Sequence, residues 1–331
     1  MFGAVPGPFS LTIRVVSATD DPATLQMNTA LDVRREDSIS HRMAMFGPDG
    51  RLYVVDSLPA EILAYELIKS PFSASFLHVA TYSYQGLVHP TVIEFSPEGG
   101  LWVVDAGTFD AARPLPNRLY RFADPSGVRG TRALKLEAEV TLRSDPSAGF
   151  AHTEVSALLF DRSGRLWYTD FNDSSVGRID APGGLNGTVA ALSPDLVFST
   201  KGAAAQGPSS LTFDPHGGLY LGFRNRNVVL RYDDPGSIAD GTAGAQPSAV
   251  ISLDPPALDT SLVGFDHTGA LIIVVEGQHE SSNGELVRVE RPWEGNADLT
   301  LRAASRYSFP FHLSLWGGAF KIRVDAVQSA D

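Results

Sequence analysis

Three side chains suited to acid–base or metal chemistry share one repeated position: His89, Glu154 and Asp259 each stand six residues before a recurring phenylalanine, Phe95, Phe160 or Phe265. The other two copies hold Ser40 and Gly207 there, with His41 and His152 close by. An imidazole and two carboxylates converging on one axis can hold a divalent cation such as calcium or magnesium, or act as general acid and base. The alternative is that each caps a strand or bonds a neighbouring backbone. A second group, Arg224-Asn225-Arg226, could bind a carboxylate or phosphate bidentately, or form ordinary salt bridges. A third, Glu276-Gly-Gln-His279-Glu280, sets an imidazole between carboxylates as a metal ligand or base, or is an exposed loop tip. Asp170-Phe171-Asn172-Asp173-Ser174 only partly follows a calcium loop, since the fixed Gly and terminal Glu are missing.

The elements that must position these residues are written five times. The copies are MAMFGPDGRLYVVD (Met43 to Asp56), VIEFSPEGGLWVVD (Val92 to Asp105), ALLFDRSGRLWYTD (Ala157 to Asp170), SLTFDPHGGLYLGF (Ser210 to Phe223) and LVGFDHTGALIIVVE (Leu262 to Glu276). Each pairs an apolar strand with a second one across a tight turn, where Gly50, Gly99, Gly164, Gly217 or Gly269 supplies the positive φ that the turn demands. Further strand-like runs follow, such as Ile62 to Leu67 with Phe76 to Thr81, and Val176 to Asp180 with Val189 to Phe198. Four strands per unit, recurring every 49 to 65 residues from Leu52 to Leu271, predict a β-propeller. The terminal runs 309–315, 319–324, 11–17 and 25–33 would supply one more blade and close the ring.

The expectation is thus an all-β, six-bladed propeller of four-stranded antiparallel blades, forming one domain over 1–331. Its blades would span about 42–81, 90–142, 155–198, 208–252 and 260–305, with 309–325 joined to 10–33 as the sixth.

Composition narrows the partners. With 38 acidic against 26 basic residues and no basic run, nucleic acid and anionic membrane surfaces are disfavoured, and a small-molecule ligand on a monomer is expected. There is no Cys, which excludes thiolate nucleophiles and Cys-bound metals. Pro6 and Pro8 interrupt what a signal peptide would keep apolar, so the chain as given reads as cytoplasmic, with a secreted or periplasmic origin open if a signal was removed. No G-x-S-x-G, H-E-x-x-H, P-loop or G-x-G-x-x-G motif occurs. Asp56, Asp105 and Asp170 recur at one place, where a short carboxylate can accept backbone N–H bonds and fix the next turn. Tyr53, Trp102, Trp167 and Tyr220 also share a position, and read as packing between blades.

The unit F-x-P-D-G-x-L-W-V-x-D, followed by a third strand such as NVVLRYD (Asn227 to Asp233) or SVGRID (Ser175 to Asp180), resembles the NHL and SMP-30/gluconolactonase class of six-bladed propellers. LWYTDFNDSSVGRI is similar to streptogramin-lyase blades, and LWVVDAGTFDAARPLPNRLYRF to the yellow/royal-jelly group. The resemblance implies a channel-mouth site and, in the SMP-30 type, a metal ring four positions before each Phe. Here those positions hold Arg42, Thr91, Ser156, Ser209 and Ser261, none a carboxylate. Function is therefore expected from the adjacent set. His89, Glu154, Asp259 and His279 would be catalytic groups, the first three also metal ligands, and Arg224, Asn225, Arg226 and Glu276 would contact the ligand. Lactone or ester hydrolysis is the leading expectation. A non-catalytic scaffold for a protein or peptide, and a lyase-like enzyme, are the alternatives.

Overall fold

The computed structural model describes residues 41–57, 59–70, 73–107, 117–142, 154–202, 207–223, 226–254, 262–265, 269–275, 284–294, 299–302 and 305–309. These form blades in chain order. Blade one holds β1 (His41–Phe46), β2 (Leu52–Ser57), β3 (Ala60–Ser70) and β4 (Ser73–Ser83). Blade two holds β5 (Pro90–Phe95), β6 (Leu101–Asp105), β7 (Arg118–Phe122) and, beyond β8 (Gly130–Ala133), β9 (Leu136–Leu142). Blade three holds β10 (Val155–Phe160), β11 (Leu166–Asp170), β12 (Ser175–Ile179) and, beyond β13 (Gly187–Leu192), β14 (Leu196–Ser199). Blade four holds β15 (Pro208–Phe213), β16 (Leu219–Phe223), β17 (Val228–Tyr232) and β18 (Ala249–Asp254). Blade five holds β19 (Leu262–Phe265), β20 (Leu271–Val275), β21 (Gly284–Val289) and, beyond β22 (Leu299–Arg302), β23 (Ser305–Phe309).

The all-β propeller is as expected, but among the described residues the structure shows five blades and not six. Phe309, expected to open a further blade, instead ends β23, which pairs antiparallel with β21 as the fourth strand of blade five. The remaining runs assigned to a sixth blade, 310–325 and 10–33, lie outside the described residues.

Each turn forms for the reason its sequence suggests. Gly50, Gly99, Gly164, Gly217 and Gly269 have φ between 77° and 95°, a region open to glycine at no steric penalty. The residue after the Phe then caps the turn: Asp161 Oδ1 accepts the N–H of Ser163 and Arg165, and Asp214 Oδ1 those of His216 and Gly218. The strands that follow are buried on both faces, every residue of β6, β11 and β16 being buried.

Inner strands β1, β5, β10, β15 and β19 stand side by side in that order. Each second-strand aromatic packs edge-on against the repeated Phe of the next blade: Tyr53 on Phe95, Trp102 on Phe160, Trp167 on Phe213 and Tyr220 on Phe265, with centroids 4.8–6.4 Å apart. Edge-to-face pairs of this kind contribute about 0.5–1.5 kcal/mol each beyond burial. A guanidinium adds a second link. Arg121 donates to the carbonyls of Pro182 and Gly183, and Arg231, 1% exposed, donates to that of Pro292, each reaching from one third strand to the following blade.

A third link corrects the expected strand count. The connection between third and fourth strands runs back and pairs in parallel with the outer strand of the preceding blade: β8 on β4, β13 on β9 and β22 on β18, with a single bridge from Thr242 to Phe198. The run Val189 to Phe198, expected as one outer strand of blade three, is therefore two elements in two sheets. Covering outer edges in this way removes templates for unwanted pairing.

Candidate functional site

The position of His89 and Glu154 is built by the hairpin beside it. Pairing sets Pro90 opposite Asp105 and Val155 opposite Asp170, so the residue leading into the inner strand lies against the end of the second strand. There the repeated carboxylate acts as a clamp. Asp105 accepts the N–H of Val88 on Oδ2 at 2.6 Å, and those of His89 and Gly107 on Oδ1 at 3.1 and 2.7 Å. The His89 carbonyl accepts the Ala106 N–H at 2.9 Å. In blade three, Asp170 Oδ1 accepts the N–H of Glu154 at 3.2 Å and of Asp173 at 3.1 Å, while the Glu154 carbonyl accepts the Phe171 N–H at 2.9 Å. The turn-fixing role expected of these aspartates holds for both.

Burial pushes the Asp170 carboxyl up, to about 6; the N–H of Asp173 opposes this, the Asp173 charge adds to it, and the N–H groups of Glu154 and Asn172 oppose it. Asp170 is 2% exposed. Its loop is tightly held, since Ser174 sits at φ 51° with its carbonyl accepting from both the N–H and the hydroxyl of Thr200. Ser174 Oγ accepts the Gly207 N–H at 3.2 Å, and Gly207 leaves no room for a Cβ against the Phe171 ring.

A β-bulge follows the clamp. The inner-strand register shifts between His41 and Met43, Pro90 and Val92, Val155 and Ala157, and Pro208 and Ser210. The extra residues are Arg42, Thr91, Ser156 and Ser209, four of the five positions where the SMP-30 resemblance places metal ligands. Bulges recur next to active sites because they re-aim a side chain. Here the Ser156 hydroxyl is committed to protein: it lies 2.8 Å from Thr169 Oγ1 and donates to the Pro208 carbonyl of the next blade at 2.7 Å.

Of the residues expected in the site, the structure sets His89 and Glu154 at equivalent places in adjacent blades, His89 half-buried and Glu154 exposed. Arg226 is exposed between β16 and β17. Asp259, His279, Arg224, Asn225 and Glu276 lie outside the described residues. Among the described residues no three His, Asp or Glu side chains gather closely enough to hold a metal ion, so imidazole and carboxylate alone fall short of a cation site there. No helix among the described residues is long and apolar enough to cross a membrane. Sequence reasoning missed Val88, Gly107 and Ser57, whose contributions are backbone N–H groups and one hydroxyl. Only Pro90 and Pro208, each opening an inner strand, hint at them.

No protein-family model matches the chain, and no curated protein does. Solved structures match in fold. A protein of unknown function from Bacteroides caccae has a TM-score of 0.52 at 10% identity, over 94% of this chain and 98% of that one. Virginiamycin B lyase from Staphylococcus aureus has a TM-score of 0.47 at 15% identity, over 94% and 82%. A protein assigned as a gluconolactonase has a TM-score of 0.43 at 17% identity, over 71% of each. At such identities the likeness is one of fold alone: the chain is a β-propeller, and its chemistry has to be argued from its own residues.

Proposed function

We propose that this propeller binds a small molecule at the channel mouth bordered by His89 and Glu154 and hydrolyses a lactone or ester there. The supporting observation is that these two residues stand at the same place in neighbouring blades, on backbone clamped by Asp105 and Asp170. An imidazole can take the proton of a water attacking the carbonyl carbon, and a carboxyl group can return one to the departing oxygen. Arg226, with Arg224 and Asn225 beside it, would orient an anionic substrate, and Glu276 and His279 would complete the rim. A divalent cation would need Asp259 as its third ligand beside His89 and Glu154, and no step above depends on it.

The test is a panel of lactones and esters offered to the purified chain, with and without added calcium or magnesium, alongside His89→Ala and Glu154→Ala and an elemental analysis of bound metal. Turnover that falls in both variants while the fold persists supports the reading. Neither turnover nor thermal stabilisation by any panel member would sink it. That result would favour a non-catalytic scaffold for a protein or peptide, the second reading, which is supported by Arg42, Thr91, Ser156, Ser209 and Ser261 standing where the SMP-30 resemblance places metal ligands.

A further inference from the structure

The backbone on either side of His89 is held by hydrogen bonds from two blades. Asp105 uses both carboxylate oxygens on Val88, His89 and Gly107, and Ala106 takes the His89 carbonyl. Pro90 follows, confining His89 to an extended backbone. The Pro90 carbonyl in turn accepts the hydroxyl of Ser57, a residue of blade one with no exposed surface, at 2.6 Å. The residues that match Ser57 in blades two and three are Ala106 and Phe171, which have no hydroxyl to offer. In blade three Val155 stands where blade two has Pro90. A functional group is held within catalytic tolerance when its supporting groups are themselves locked.

We infer that Asp105 and Ser57 are positioning residues for the His89 imidazole, Asp105 gripping the peptide before it and Ser57, from the adjacent blade, gripping the carbonyl of Pro90, the residue that follows it. This rests on the proposed mouth site and adds that blade one contributes to it. A purely structural clamp would matter to the stability of the blade. A positioning clamp also sets the ring of one particular histidine.

The experiment is an NMR record of the histidine ring signals in the full chain, with His89 assigned through His89→Gln and the exposed His78 and His216 as internal references. Asp105→Asn, Ser57→Ala and Ser57→Thr are compared with the parent. The expected result is that Ser57→Ala and Asp105→Asn move or broaden the His89 signals towards a rotamer average, that Ser57→Thr restores them, and that His78 and His216 do not shift. Unchanged His89 signals in Ser57→Ala, which removes one hydroxyl and is the gentler variant, would overturn the inference. So would a shift shared by all three rings. The same samples are offered the lactone and ester panel. If the His89 ring responds but no compound binds, the positioning stands and the hydrolase reading falls; turnover with an indifferent ring gives the converse.

Discussion

Replacing Asp170 by Asn should stabilise the protein at neutral pH, although it alters a buried residue of the clamp. The N–H bonds that Asp170 accepts from Glu154 and Asp173 fall on Oδ1, so an Asn oxygen can keep them while the amide nitrogen takes the place of Oδ2; the Asn172 N–H, the smallest of the three influences, is the one the change puts at risk. What disappears is a buried charge. Burial raises the carboxyl from 3.8 to about 6 in the folded protein. The folded state therefore holds this proton more tightly than the unfolded chain does. The group's contribution to stability is complete below about pH 4 and is lost as the pH rises through about 6. A shift of roughly two units corresponds to about 3 kcal/mol. Urea unfolding of parent and variant from pH 4 to 8 gives the difference directly, free of carboxylates common to both. It should grow in favour of Asp170→Asn by up to about 3 kcal/mol across that range. A difference that stays flat with pH would refute the account. Asp105→Asn is the control with the opposite sign. Both oxygens of Asp105 accept N–H bonds, so an amide nitrogen must face either Val88 or the His89–Gly107 pair, and a loss of about 1–3 kcal/mol is expected at pH 7.

Other perturbations test the packing between blades. Trp167→Phe removes the indole N–H that donates to Asp161 Oδ2 at 2.8 Å. Burial pushes the Asp161 carboxyl up, but the Trp167 and Arg165 hydrogen bonds and the Arg165 charge outweigh it and hold the group below the usual range. An NMR titration of the variant should show Asp161 titrating at higher pH, and an unmoved Asp161 would mean that the indole has little influence. Arg231→Ala deletes a side chain 1% exposed that donates to Pro292, and should destabilise by about 2 kcal/mol or more, with faster amide exchange in blade five. Exchange accelerated only within blade four would contradict a link between the two. Gly177→Ala places a methyl group on the buried Tyr168 ring across the strand pair, and should cost about 1–3 kcal/mol in a denaturation experiment; a neutral result would mean that the ring moves aside freely.

The five repeats were readable because Phe, turn Gly and second-strand aromatic recur together, and each marks a different contact: the edge of a ring pair, a left-handed turn and the face that meets it. The sixth blade rested on strand-like runs without those marks, around Gly317-Gly318 and the N-terminal segment. The β13 element was misassigned because alternation along a strand says which face is buried and not which neighbour supplies the hydrogen bonds. One regular signal went unused. Arg121, Arg178, Arg231 and Arg288 each precede a proline by four residues, at Pro125, Pro182, Pro235 and Pro292. In the structure Arg121 and Arg231 bond the carbonyl of the next blade's proline, while in blade one Tyr82 does the same for Pro125. For the site, residue types were visible but the backbone was not. Nothing in the letters tells that Asp105 spreads its N–H bonds over both oxygens while Asp170 takes those of Glu154 and Asp173 on one.

That difference bears on how a repeat protein acquires chemistry. The blade-to-blade contacts share one polarity: an aromatic, an arginine or tyrosine and an outer edge of each blade are completed by the blade that follows. Such contacts must stay constant, because a change in any one strains two blades. The residue leading into the inner strand is different. In blades two and three its N–H and carbonyl are held by the clamp, so its side chain can change from His89 to Glu154 while the backbone stays in place. At Gly207 the constraint shows from the other side, for that residue has φ 72° with the Phe171 ring where a Cβ would lie. Glycine there serves the packing of blade three's loop, so among the described residues the side chains this position offers to a ligand in blades two to four are those of His89 and Glu154.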